Sequence, residues 1–239
     1  MTNLVKIERL EDLRPGDLMF GPIGGLAGVG VGLGELLCDG GFRVGPLDVR
    51  HVGIVVEASE TRPADREWPT GVITAPRLVQ AMPGGAEEIE MRYATHWTPR
   101  HAYARPVEDY PSQALDAAAI ARLMVEHNVA YSPASYAALA AWHWGIATPK
   151  LEAWIGRRQN WPWSGNPVML PSGQDLDTGL PVEAICSVLA DQAWSLTGKE
   201  IMVNVPHQCV TPSTLATRLL FGAEHLVQAW GFAAEHPYP

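Results

Sequence analysis

His51-Val52-Gly53-Ile54-Val55-Val56-Glu57-Ala58 is the stretch on which the fold turns. Its β-branched residues suit a pleated, packed surface, and polar His51 and Glu57 bound the run, so a strand is expected here. Upstream, Arg14-Pro15-Gly16-Asp17 has turn chemistry, and Leu18-Met19-Phe20 reads as a short strand leaving that turn. Before it, IERLEDL at 7–13 reads as a helix or turn. Downstream, strands are expected at Gly71–Thr74 and Arg77–Ala81, the second running into a Met82-Pro83-Gly84-Gly85 turn. The first half is therefore expected to form a small antiparallel sheet.

From Pro111 the period changes to that of a helix, with Ser112 as the expected N-cap and Leu115, Ala119, Leu123 and Met124 at helical spacing. SYAALAAWHWG at 135–145 is expected to be helical as well. In ICSVLADQAWSLTG, Ile185, Val188, Leu189 and Trp194 suit one face of a helix ending near Gly198, and Thr211-Pro212-Ser213 opens a last helix. The expected fold class is α+β, a central antiparallel sheet or half-barrel packed on the helix that begins at Cys186. A glycine-rich stretch near 21–47 and a Trp/Pro-rich stretch near 146–180 read as insertions within a single domain spanning 1–239.

Composition bounds the function classes. The 239 residues are 47% hydrophobic and 18% charged, as in ordinary globular proteins. The net charge is -9, from 26 acidic and 17 basic residues, and no Lys/Arg run could track a phosphate backbone, so no nucleic-acid partner is expected. The first dozen residues carry charges and no apolar core, which predicts no secretory signal and cytoplasmic synthesis. Phe20 to Cys38 is apolar but glycine-rich and interrupted by Glu35, so no stable membrane span is expected.

The chemistry centres on one cysteine. Cys38, Cys186 and Cys209 are odd in number and lack CxxC spacing, which argues against a disulfide framework and against zinc. A nucleophilic thiolate needs a lowered pKa, which the partial positive charge at a helix start supplies, and Cys186 stands at such a start. It also needs a base held by a third polar group; His51 opening its strand and Gln80 in the next strand can fill those parts. No metal or organic cofactor is required. Each residue also has a plainer reading: Cys186 as a small core residue, His51 bonded to backbone, Gln80 facing solvent, Tyr131 simply packed.

RPGDLMF at 14–20 followed by HVGIVV at 51–56 resembles the strand pair of NlpC/P60 peptidases, in which a PGDL turn precedes a His-Val-Gly strand. In those enzymes the nucleophile lies upstream of the histidine, whereas here Cys38 sits in CDGG rather than in a DCSG motif. ICSVLADQ instead resembles the Cys-Ser helix start that follows the histidine in circularly permuted relatives with a papain-like fold. Tyr131 in AYSPASY resembles the aromatic residue ahead of the nucleophile helix, and Thr211-Pro212 resembles a late Thr-Pro turn. The resemblance implies a cysteine peptidase or amidase with Cys186, His51 and Gln80 as catalytic residues and Tyr131 near the oxyanion. It implies cleavage of bacterial cell-wall peptides, beside D-glutamyl or diaminopimelate residues, with lipid-like amides or esters as the alternative substrates. Without a secretory signal, a phage lysin or virion tail component is the expected setting.

A different class remains open: a tail-assembly subunit that keeps the fold for binding, with Trp142, Trp144, Trp154, Trp161 and Trp163 as its contact surface. The glycine spacing of Gly28 to Glu35 lacks the GK[ST] of a phosphate loop and a surrounding βαβ unit, so no nucleotide site is expected.

Overall fold

The computed structural model describes residues 5–6, 12–23, 43–44, 47–61, 72–91, 100–106, 111–132, 168–176, 179–202 and 210–221. Six strands form one sheet: β1 (Val5–Lys6), β2 (Leu18–Gly21), β3 (His51–Glu57), β4 (Arg77–Met82), β5 (Gly85–Glu90) and β6 (Ala102–Arg105). Their spatial order is β1-β6-β2-β3-β4-β5 and every neighbouring pair is antiparallel. The fold class is thus α+β, with the HVGIVV strand at the centre of the sheet. The expected strand at Gly71–Thr74 is displaced from that sheet: Val72–Thr74 pairs separately with Glu60–Thr61.

Alternation along β3 divides the core. Val52, Ile54 and Val56 join Leu18, Phe20, Val79, Ala81 and Ala104 in one apolar cluster, while Val55 joins Met19, Leu78, Met91, Leu13 and Tyr103 in a second. The first cluster is covered by α1 (Pro111–Glu126) and α2 (Cys186–Ser195); α1 packs on β3 and β5, α2 packs on β3 and β4, and the two helices touch. A further helix, α3 (Pro212–Phe221), adds Leu215, Ala216 and Leu219.

Local chemistry explains the ends of these elements. Helix α1 begins two residues earlier than an N-cap at Ser112 would set it, with Pro111 in its first turn, so Ser112 lies inside the helix and its hydroxyl bonds Gln113. Its buried stripe is Ala117, Ala118, Ile120, Ala121 and Met124, which leaves Leu115 46% exposed despite its apolar side chain. Asn128, with φ 52, turns the chain out of the helix. Helix α3 is capped reciprocally: Thr211 Oγ1 accepts from the Thr214 backbone N–H at 3.1 Å, and Thr214 Oγ1 accepts from the Thr211 N–H at 2.9 Å.

The PGD turn is a structural clamp. Gly16 donates its N–H to the Val55 carbonyl and Val55 returns its own N–H to the Asp17 carbonyl, which fixes the far end of β3. Gly16 has φ +91, and a Cβ there would lie 2.8 Å from the Cβ of Ala114, so no other residue fits. The buried Asp17 carboxylate accepts from the Arg14 backbone and from Arg105 Nε and Nη2, tying the turn to β6. Burial pushes the Asp17 carboxyl above its ordinary value, with the Arg105 hydrogen bonds opposing that push.

The expected helix at 135–145, all five tryptophans of the proposed contact surface, most of the glycine-rich stretch, Cys38 and Cys209 lie outside the described residues. The described end of the Trp/Pro-rich stretch is packed: Val168–Met169 pairs with Asp175–Leu176, and Leu170, Leu176 and Leu180 are buried against the main core. Among the described residues, no helix is long and apolar enough to cross a membrane.

Candidate active site

His51 opens β3 opposite Gly21 of β2, and Gln80 of β4 stands opposite Gly53. Residues 51 and 53 share a sheet face, so His51 and Gln80 are diagonal neighbours on it. Their side chains meet in a buried hydrogen bond of 2.6 Å between His51 Nε2 and Gln80 Oε1. His51 is 4% exposed and Gln80 7%, so the two expected partners are brought together and Gln80 is not the solvent-facing residue of its plainer reading. Gly53, opposite Gln80 on this face, is packed by Leu78: a Cβ there would lie 2.9 Å from Leu78 Cδ1.

A residue that sequence reasoning missed completes this strip. Gln80 Nε2 donates to Glu87 Oε1 at 2.8 Å, and Glu87 is the direct cross-strand partner of Gln80. The signal was available in the turn: once Met82 pairs with Gly85 across Pro83-Gly84, counting back two and forward two sets Gln80 opposite Glu87. His101 is the second missed residue. It precedes β6, and its ring occupies the space that a side chain at Gly21 would fill, with Nε2 2.6 Å from that Cβ position. Since Gly21 pairs with His51, the two histidines flank one glycine on one face.

Cys186 is the first residue of α2 and is buried, at 2% exposure. Ile185 precedes it in an extended conformation and offers no side-chain cap, and the first turn of α2 contains no acid. The positive end of the helix is therefore not neutralised by its own side chains. Tyr131 lies beside this start. It belongs to β7 (Ala130–Tyr131), which pairs in parallel with β8 (Glu183–Ala184), the strand that feeds α2; Tyr131 stands opposite Ala184.

Two anchors fix how α2 lies along β3. At the helix start, Val129, just before β7, accepts from the Ala86 N–H of β5; Ala86 pairs with Ala81, and the Gly53–Gln80 register, continued by two residues, brings Met82 to His51. At the other end, Trp194 Nε1 donates to the Gly16 carbonyl at 3.1 Å, and Gly16 is bonded to Val55. Cys186 to Trp194 spans about 12 Å of helix and His51 to Val55 about 13 Å of strand. The lengths agree, so α2 runs in the same direction as β3 and Cys186 lies at the His51 end of the sheet.

The faces differ, however. Cys186 belongs to the apolar cluster beneath the helices, while His51 and Gln80 share the parity of Met19, Val55 and Leu78 on the other face. A contact between the sulfur and the imidazole is therefore one made past the first residue of β3 rather than through the sheet.

Among the described residues, no group of His, Cys, Asp and Glu is arranged to hold a metal ion. No protein-family model matches the chain, and neither the curated proteins nor the solved structures contain a significant match to it.

Proposed function

We propose that this chain is a cysteine hydrolase resembling circularly permuted NlpC/P60 enzymes with a papain-like fold, acting on amide bonds of bacterial cell-wall peptides as a phage lysin or tail-associated peptidase. The observation that carries the reading is the buried His51–Gln80 hydrogen bond at the end of the strand beside which the Cys186 helix begins. An imidazole held by a buried amide next to an unneutralised helix start is the environment a thiolate–imidazolium pair requires.

In the reaction, His51 Nδ1 takes the Cys186 thiol proton while Nε2 stays bonded to Gln80. The thiolate sulfur attacks the carbonyl carbon, and the developing oxyanion is met by the Cys186 backbone N–H, with the Tyr131 hydroxyl on the same side. Collapse breaks the C–N bond as the imidazolium returns its proton to the departing amine, leaving a thioester. Water, deprotonated by His51, attacks that thioester and releases a carboxylic acid and the thiol.

Iodoacetamide alkylation tests the pair, in a protein carrying Cys38→Ser and Cys209→Ser so that Cys186 is the sole thiol. The expected rate profile titrates well below the ordinary thiol value of about 8.5 and returns to it in His51→Gln. A profile at about 8.5 in the parent protein would remove the mechanism. Digestion of purified peptidoglycan, set against lipid amides and esters, separates the substrate classes.

A second reading is favoured by the burial of Cys186 within the helix-bearing core on the face opposite His51. In it the thiol is a packing group and the chain is a structural subunit of a tail or similar assembly. Absence of labelling in the folded protein is the result this reading expects.

A further inference from the structure

We propose that Glu87 is a positioning residue that sets the tautomer of His51 through the amide of Gln80. A glutamine side chain has one donor end and one acceptor end, and its direction is fixed by what its partners can do. The Glu87 carboxylate only accepts, so it takes the NH2 of Gln80 at 2.8 Å. The Gln80 carbonyl oxygen then faces His51 Nε2 at 2.6 Å and can only accept. In the neutral ring Nε2 must therefore carry the hydrogen, and Nδ1 holds the lone pair.

The backbone enforces this order. Glu87 is opposite Gln80 in the β4–β5 ladder, and the two-residue turn at Pro83-Gly84 leaves that register no slack. Glu87 is exposed on an edge strand, so water screens its charge and it acts by turning the amide rather than by a long-range field. The catalytic consequence rests on the hydrolase reading: Nδ1 is the nitrogen that takes the thiol proton, and the opposite tautomer presents an N–H there. The tautomer itself does not depend on that reading.

The test is to reverse the polarity at position 87. In Glu87→Lys the ammonium can only donate, so it takes the Gln80 oxygen, turns the NH2 toward His51 Nε2 and moves the ring proton to Nδ1. Glu87→Ala removes the bias. Multiple-bond 1H–15N correlation of 15N-imidazole-labelled protein, above the histidine titration and with His51 assigned by His51→Gln, reads the tautomer directly. The parent protein should show a protonated Nε2 and an unprotonated Nδ1; the two shifts should exchange in Glu87→Lys and move toward each other in Glu87→Ala. Alkylation of Cys186 near neutral pH should fall by about tenfold in Glu87→Lys, as the thiolate fraction returns toward that of an ordinary thiol. An Nδ1-protonated ring in the parent protein, or a tautomer indifferent to residue 87, overturns the proposal. A tautomer that follows residue 87 while alkylation stays constant upholds it and removes His51 as the base.

Discussion

Replacing Gln80 by Leu should destabilise the protein by about 2 kcal/mol, and nearly all of that cost should arise at His51. The substitution keeps a side chain of similar volume at a site only 7% exposed, so it opens no large cavity. It removes two hydrogen bonds of unequal value. At Glu87, which is exposed, water replaces the lost amide donor at little cost. At His51, 4% exposed, the Nε2–H loses its acceptor in a buried site, and a stranded buried donor costs about 1 to 3 kcal/mol. For a chain of this size, 2 kcal/mol corresponds to a fall of about 4 to 8 °C in Tm. The assay is a double-mutant cycle in thermal or urea unfolding with His51→Phe, which removes the ring N–H while leaving an aromatic side chain. Gln80→Leu should cost far less in the Phe background, giving a coupling of about 1 kcal/mol or more. Equal costs in the two backgrounds, or a cost below about 0.5 kcal/mol in the parent, would show that the His51–Gln80 bond is not an energetic unit and would weaken the site built on it.

Two further substitutions probe what surrounds the site. Arg105→Met should cost about 3 kcal/mol near neutral pH because it strands the buried Asp17 carboxylate, and the deficit should shrink under acid conditions. The sign follows from burial: the Asp17 carboxyl is already raised, losing Arg105 raises it further, the folded state binds the extra proton, and stability therefore falls as pH climbs from the ordinary carboxyl value; urea unfolding from about pH 4 to 7 reads it. Gly21→Ala should cost about 1 to 3 kcal/mol by driving a methyl into the His101 ring, and His101→Ala should abolish most of that cost; a penalty unchanged by His101→Ala would place the clash elsewhere.

The readable parts of the fold were those whose signal is local. HVGIVV, the Arg77–Met82 strand and the helix opening at Cys186 each carry their period within a single element. Strand β5 was missed because Gly85–Glu90 is an edge strand with only Ile89 as a large apolar residue, and it is stabilised instead by charges from elsewhere. Arg77 Nε donates to Glu88 Oε1 at 2.7 Å, and Arg122 of α1 bridges Glu88 and Glu57. The Glu88 carboxyl is lowered, because the bonds from the two arginines together outweigh the opposing effect of its partial burial. Such partners leave no periodic trace in one sequence. Strand β6 was missed for a similar reason: Arg105 is fixed by Asp17, 88 residues away in the chain. Tyr131 and Cys186 come together by the parallel pairing of two-residue strands, too short to carry any period at all.

One feature of the site was present in HVGIVV from the start. If Val52, Ile54 and Val56 turn toward the helices, then alternation sends His51 and Gly53 to the other face. The place of His51 at the first residue of the strand is therefore what the proposed chemistry depends on. A histidine two residues inward, at position 53, would share the same face but would meet Leu78, whose Cδ1 lies 2.9 Å from the Cβ it would need, and it would have the full sheet between itself and α2. His51 instead stands at the end of the strand where α2 begins, and from Cys186 the helix runs along β3 to its Val55 end, where Trp194 bonds Gly16. The same register that gives Gln80 to His51 gives Glu87 to Gln80, so the polarity of the imidazole is decided by a hairpin turn rather than by any residue next to the sulfur.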